Sequence, residues 1–591
     1  MAETLISPGV FVSENDLSQI TQGPIAAGAA ILGPTVTGPV NYPTLVTSYS
    51  EYKAIFGAAF VSGGAPYEYL TSIAALNYFE QGGESLLVTR VASGSYTPAT
   101  ASIGRVTAGV FTSSFVLETV TDGTVMNNNG QVNQAVNGAL PSGSSANIRW
   151  EIAYTDTGSG LFSLIIRRGD DYQNSKTVLE SWNNISLDPN QNNFITYVIG
   201  DTKETVVNDN GNYYLQITGS YPNKSKYVRV KQVDRPTPGY LNQYGQAYSQ
   251  YTSSIPTVGS GSQNGTFGSA TGAIWGCFGK AGLNMFESIK TTNAVETSIS
   301  SANNVQGVFI NNYTVGLGLL RNADAYDFNV VYVPGLNTQN ASSAITSVLE
   351  LAQNRGDAIA VVDVTSYGQN ISTAIGNSQT YDNSYGATYW PWVQISSRET
   401  GKINFVPAST LVPAVYEYND KVSAEWFAPA GLNRGGMSTV LRPERRLSVD
   451  DRNQLYQGKV NPIATFPGVG TVIYGQKTLQ SKASALDRVN VRRLLIALKR
   501  YIREIGETIV FEPNTQVTRN SFLNQVNPYL ETVQQRQGLF SFQVVMDETN
   551  NTPDVIDRNQ LVGTIYLQPT RVAEFIQLDF NVLPTGTSFG G

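Results

Sequence analysis

The sequence holds no histidine and a single cysteine, Cys277. Without imidazole, every His-dependent catalytic triad, His-ligated metal centre and His-based pH switch is excluded. One cysteine permits neither an intramolecular disulfide nor a Cys-cluster metal site, so stability has to come from packing and assembly. Cys277 itself reads as a small buried apolar residue. Charge is also scarce, at 14% of residues, against about 25% in an ordinary soluble protein. The net charge of -7 and pI near 5.0 give no global drive toward nucleic acid. No stretch reaches the roughly 18 apolar residues of a membrane span, and residues 1–10 carry neither a basic residue nor a signal-peptide core. A cytoplasm-like compartment without membrane insertion is therefore expected.

What the chain does have is length, glycine and tyrosine. Its 591 residues exceed a usual domain of roughly 100 to 200, which predicts about three or four domains. The 55 Gly and 32 Tyr point to turn-rich β structure with aromatic faces. Residues 5–13 read as an extended arm, with Pro8 and Gly9 interrupting any helix. Residues 26–33, 43–48 and 85–91 read as buried strands. Residues 69–80 read as a helix with Leu70, Ile73, Leu76 and Phe79 on one stripe, stopped by Gly82 and Gly83. After Ser93 the composition shifts to Gly, Ser, Thr and Asn with short strands, a β-rich insertion. Within it, residues 235–272 read either as a loop-like excursion rather than a packed core or as partly disordered.

Core-like sequence resumes with a strand at 328–334, a helix at 341–353 and a strand at 357–364. This spacing is that of a βαβ unit, whose strands are parallel. They are expected to join the strands of residues 26–91. The last third carries short strands near 462–467 and 470–475, an amphipathic helix from about 485 to 505, and strands at 538–545, 561–568 and 573–583. The expected fold is thus α/β and α+β multidomain. A discontinuous α/β core domain (25–92 and 300–445) is interrupted by a β-rich outer insertion (93–299). A C-terminal α+β inner domain (446–570) follows, with extended arms at 1–24 and 571–591.

Sites of chemistry are few. Neither G-x-x-x-x-G-K-[ST] nor G-x-G-x-x-G occurs, and at Gly279-Lys280 the first glycine is replaced by Ile274. The pairs Asp170-Asp171 and Asp450-Asp451 read as solvated turn carboxylates rather than a general acid and base, because adjacent strand residues face opposite ways. Arg488, Arg492, Arg493, Lys499, Arg500 and Arg503 make the helix near 485–505 a local reversal of charge. Such a face either meets a negatively charged partner or is merely solvated. The end segments Val10, Phe11, Val12 and Phe575, Ile576, Gln577, Leu578, Phe580, Val582 are strand-like, and pair either within the chain or with another sheet edge.

Several strings, taken together and in order, resemble the contractile-tail sheath family. They are SPGVFV (7–12), GAAILG (28–33), PTLVTS (43–48) with Phe56-Gly57, YFEQGG (78–83) leading to VTRV (88–91), VLESWNNISLDP (178–189), WFAPAGLNRG (426–435), and NPI (461–463) with GTVIYG (470–475) and KTL (477–479). Size and insertions are most similar to sheaths of T-even-like phages. The resemblance implies a structural protein of the virion tail, assembled in the host cytoplasm, and neither an enzyme nor a cofactor binder. It implies hexameric rings stacked helically around a tail tube in a metastable extended state, contracting on a baseplate signal to drive the tube through the host envelope for genome delivery. The implied partners are further copies of itself, the tail tube protein, and baseplate and tail-terminator proteins, with no direct nucleic-acid contact. On that resemblance the end segments would add to sheets of neighbouring subunits and the six-cation helix would face the tube. Two other classes fit less well: a tail fibre or adhesin should show a repeat period, and none is present; a His-free hydrolase needs two carboxylates converging in a cleft.

Overall fold

The computed structural model describes residues 25–26, 28–62, 65–92, 97–107, 110–122, 148–168, 171, 175–258, 275–277, 304–305 and 308–574. Its largest sheet has eight strands, in the order Gly470–Ile473, Asn461–Phe466, Gly386–Trp390, Ile359–Asp363, Val330–Asn337, Ala29–Gly33, Leu86–Arg90, Thr44–Val46. The two edge strands run antiparallel to their neighbours, and all those between are parallel. A parallel sheet needs cover on both faces, and its strands read as near-continuous apolar runs. Ile31, Tyr332 and Val361 accordingly enter one apolar layer with helices Leu70–Glu80 and Val412–Val422. Leu32, Val331 and Val362 enter another with helices Tyr313–Leu319 and Thr338–Arg355.

The expected βαβ unit is present. Strand Val330–Asn337 runs through helix Thr338–Arg355 into the parallel strand Ile359–Asp363, and it pairs on its other side with Ala29–Gly33. Asn337 and Asn340 form a reciprocal capping box at the helix start, and Gly356 ends it in the left-handed region at φ 71°. The helix Leu70–Glu80 departs from the amphipathic stripe expected of it. Thr71, Ser72, Ala74, Ala75, Asn77 and Tyr78 are buried along with Leu70 and Ile73, because the helix is wedged between the sheet and the Val412–Val422 helix.

The core is also longer than its expected limit at residue 445. Tyr389 and Trp390 pair in parallel with Asn461 and Pro462, so the strands at 461–473 complete the core sheet rather than open the C-terminal domain. The helix Val449–Gln457 supplies the crossover.

The insertion leaves the core beside Arg90. That buried guanidinium donates to the carbonyls of Val36 at 3.2 Å and Asp122 at 3.3 Å, tying the core loop to the first insertion strands. Two sheets of three and four strands face each other over one core that includes Phe115, Leu117, Trp150, Phe162 and Leu164. The segment expected as a loop-like excursion is largely exposed and irregular over residues 235–258, and a few side chains anchor it on this core. Tyr240 and Ile255 are buried, and the Tyr240 hydroxyl donates to the Thr157 carbonyl at 2.7 Å. Tyrosine rings supply the apolar area that the segment lacks in aliphatics; its remainder lies outside the described residues. A hairpin, Lys203–Asp209 with Asn212–Thr218, turns at Asn210 (φ 53°) and Gly211 (φ 93°), both φ positive as a type I′ turn requires. Its Tyr213 ring occupies the space a Cβ on Gly318 would fill, at 2.3 Å, which seats the insertion on the core helix Tyr313–Leu319.

The C-terminal part packs helices Val489–Thr508 and Gln516–Gln535 against the hairpin Leu539–Val545 with Thr564–Pro569, around Leu494, Leu498, Phe522, Val526 and Leu530. No helix among the described residues is long and apolar enough to cross a membrane.

Candidate assembly interface

The helix Val489–Thr508, expected as simply amphipathic, has two apolar faces. Leu494, Leu498 and Ile505 pack within the C-terminal domain, whereas Val489 and Ile496 pack into the core domain. Positions 489, 492, 496, 499 and 503 follow the three-to-four residue spacing of one face, so that face carries cations onto the core domain.

Each of the six cations finds a partner inside the chain. Arg488 Nε donates to Glu574 Oε1 at 2.7 Å, and its Nη2 to Oε2 at 2.9 Å. Arg492 is buried, bonds the Ser384 hydroxyl, and stacks 4.0 Å from the Tyr385 ring centroid. Burial holds its guanidinium below the ordinary value. Arg493 is buried on Asp420, its Nη1 donating to Oδ1 at 2.8 Å. Burial would lower the Arg493 guanidinium, and the charge and hydrogen bonds of Asp420 outweigh it, holding the group above its ordinary value. Lys499 Nζ donates to the Tyr385 hydroxyl at 3.1 Å. Arg500 lies 3.0 Å from Asp327, and Arg503 3.8 Å from Asp357. Only Lys499 and Arg503 of the six are exposed. Arg493, Arg500 and Arg503 thus meet the core-domain carboxylates Asp420, Asp327 and Asp357.

The spacing of charges gave no hint of Trp426 or Asp420, the core-side partners in this contact, because the partners lie more than 60 residues away in sequence. Trp426 Nε1 donates to the Arg536 carbonyl at 3.0 Å, and the Arg536 guanidinium sits 5.2 Å from its ring centroid. The indole also packs against the C-terminal apolar core.

The hairpin Leu539–Val545 with Thr564–Pro569 forms a sheet of two strands, and among the described residues neither strand has a further partner. Phe542 opposite Leu567 and Val544 opposite Ile565 line its inner face, while Phe540 and Tyr566 of the same strands are exposed. The end segments Val10–Val12 and 575–582 lie outside the described residues, as do Gly279-Lys280 and Asp170. Asp171 is buried rather than solvated: Arg167 reaches it through Nε at 2.8 Å and Nη2 at 2.9 Å, and Thr177 N donates at 2.9 Å. Asp451 caps the helix Val449–Gln457 with Ser448. Among the described residues no three His, Cys, Asp or Glu side chains cluster as metal ligands.

Two family descriptions match adjoining stretches: phage tail sheath protein central domain over residues 313–479, and phage tail sheath C-terminal domain over residues 481–582. The boundary between them falls just past the last core strand, Gly470–Ile473. The tail sheath protein of Vibrio phage KVP40 is 38% identical over 225 residues, covering 38% of this chain and 32% of that protein. The tail sheath protein of Enterobacteria phage T4 is 40% identical over 185 residues, covering 31% and 28% respectively. The matched stretches thus span about a third of these relatives. A crystal structure of a sheath tail protein from Listeria innocua shares the fold, with a TM-score of 0.50 at 10% identity over 92% of this chain and 95% of that one. Residues 313–479 and 481–582 thus match the central and C-terminal domains of the phage tail sheath family.

Proposed function

We propose that this protein is the repeating subunit of a contractile phage tail sheath, a structural and non-enzymatic role. Copies stack as hexameric rings around a tail tube, are held in a metastable extended state, and contract on a baseplate signal to drive the tube through the host envelope. The observation that carries this reading is the two-stranded sheet of the C-terminal domain. An isolated two-stranded sheet is marginal in water and leaves two rows of unpaired backbone groups. Both chain ends hold strand-like sequence, at 10–12 and 575–582, suited to complete such a sheet in a neighbouring copy. A mesh of exchanged strands keeps subunits linked while they rotate, and the work comes from the difference between two packings of the same chain.

A tube contact by the basic helix rests on Lys499 and Arg503, since Arg492 and Arg493 are spent on internal contacts. The outer insertion, the C-terminal inner domain, and association with tube, baseplate and tail terminator belong to the same proposal. Electron microscopy of the purified chain tests it: striated hollow tubes are expected, and persistent monomers or trimers overturn it. Deleting residues 1–15 is expected to leave a folded subunit that no longer forms tubes; normal tubes from the truncated chain overturn the strand-exchange element.

A further inference from the structure

The loop joining helices Val489–Thr508 and Gln516–Gln535 presents an apolar tip. Phe511 is completely exposed, and Val510 and Val517 beside it are largely exposed. Phe511 also stands at φ 72°, a left-handed conformation that is a true outlier for a bulky residue. The loop holds this pose by design of its bonds. Glu512 N donates to the Ile509 carbonyl at 3.1 Å and Thr515 N to the Pro513 carbonyl at 2.8 Å. Asn514 Nδ2 donates to the Gln560 carbonyl at 2.8 Å, while its Oδ1 accepts from the buried Arg519 Nε at 2.9 Å. An exposed aromatic held in a strained conformation by the hydrogen bonds of its loop is preorganised for contact. Residues 504–518 hold Glu504, Glu507 and Glu512 and no cation, so the fitting surface is apolar with a cationic rim.

This chain carries such a surface on its core domain. In the sheet formed by Val393–Ser396, Ile403–Val406 and Val440–Pro443, Ser396 opposes Ile403, while Gln394 opposes Phe405 and Arg442. Opposed residues share a face, and Val393, Ile395 and Val406 are buried beneath it. On the outer face Ile403 is 56% exposed, as is Leu441 at the register shift of the third strand. Arg442, Arg445 and Arg446 are exposed beside them; Arg445 is paired with Asp451 at 3.2 Å, and Glu444 is engaged with the Gly368 N–H at 2.6 Å, which leaves Arg442 and Arg446 as the cations of the rim.

We propose that the Phe511 tip of one copy docks on the Ile403–Leu441 face of a second copy, with Glu507 and Glu512 meeting the arginines of the rim. Tip and face are different surfaces, so the contact is heterologous and propagates into a ring or a helix rather than closing a dimer. The inference rests on the reading that copies of this chain assemble.

The test uses the full chain. Phe511→Asn keeps a side chain that tolerates the left-handed pose and is expected to fold with native thermal stability yet weaken self-association at least tenfold by sedimentation velocity. Two surface-charge variants, Glu507→Lys with Glu512→Lys, and Arg442→Glu with Arg446→Glu, are each expected to assemble poorly alone and to co-assemble when mixed. Native-like assembly of F511N while the native chain forms striated tubes overturns the docking and leaves the sheath reading standing. Failure of the mixed charge variants to recover also overturns it. F511N that assembles alone but not around tube subunits assigns the tip to the tube and overturns the second-copy proposal. A native chain that stays monomeric overturns both readings.

Discussion

The Arg493 guanidinium of the C-terminal helix is buried against the Asp420 carboxylate of the core helix Val412–Val422, Nη1 to Oδ1 at 2.8 Å. Removing one partner of a buried pair strands the other charge, at a cost of about 3–5 kcal/mol, whereas replacing both by apolar groups of similar size is far less damaging. Asp420→Ala is therefore expected to lower stability by that order in chemical denaturation. The double variant Asp420→Leu, Arg493→Met should recover most of the loss. Amide exchange should accelerate first in the two C-terminal helices, 489–508 and 516–535, because Arg493 is a buried cation of the face that holds them to the core. Equal losses in the single and double variants would mean that the pair is not the source.

Much of the core was legible because buried parallel strands announce themselves as apolar runs. Residues 328–334 and 357–364, with a helical spacing between them, define the βαβ unit whatever lies elsewhere. The strand at 461–466 was placed in the wrong domain for a non-local reason. Its sequence reads as a strand, but its pairing with Tyr389 and Trp390 spans about 70 residues that no periodicity encodes. The basic helix shows the same limit. Six cations were visible, and the fact that Asp420, Asp327, Asp357 and Glu574 neutralise four of them was not. The anchoring of residues 235–258 on the sandwich was obscured by their Gly, Ser and Gln content, although Tyr240 and Tyr251 were the available signal.

Asp363 ends the central strand Ile359–Asp363 fully buried, with the Ser409 N–H donating to Oδ1 at 3.1 Å. Burial pushes its carboxyl up to about 7, against the lowering effect of the Ser409 hydrogen bonds. A carboxyl raised on folding binds its proton more tightly in the native state. Its contribution to stability is thus fully present below the unfolded value near 3.8 and is lost as pH rises through about 7. At about 1.4 kcal/mol per pKa unit, the contribution amounts to a few kcal/mol. Asp363→Asn is expected to flatten the pH dependence of the melting temperature between pH ~4 and ~8. Its stability relative to the native chain should be greatest at the alkaline end. A native profile that rises over this range and is unchanged in the variant would refute the assignment.

In the insertion, Arg149, Arg167 and Asp171 are all buried, and Glu151 bridges Arg167 at 2.8 Å to Lys176 at 2.6 Å. Asp171→Asn keeps the shape but removes the charge facing two guanidinium groups. The same stranded-charge penalty, about 3–5 kcal/mol, is expected to fall on the β-sandwich alone, because its apolar core is separate from those of the parallel sheet. Limited proteolysis should cut within residues 97–258 of the variant while leaving 308–574 resistant. Uniform loss across the chain would mean that the sandwich and core unfold as one unit.

Lys499 and Arg503 are the exposed members of a helix whose other cations are committed inside the chain. Arg503 is 46% exposed on its side chain and only 3.8 Å from Asp357, a surface pair worth about 0–1 kcal/mol. Reversing both to Glu is therefore expected to leave the melting temperature nearly unchanged, whereas Arg492→Ala, which removes the stack on Tyr385, should lower it measurably. If the helix meets an acidic tube, the reversed variant should co-sediment poorly with tube subunits. The deficit should be greatest near 0.01 M salt, where charges act over about 30 Å, and should shrink toward 1 M, where they act over about 3 Å. Equal co-sedimentation of native and reversed chains at low salt would confine the helix to its role between the two domains.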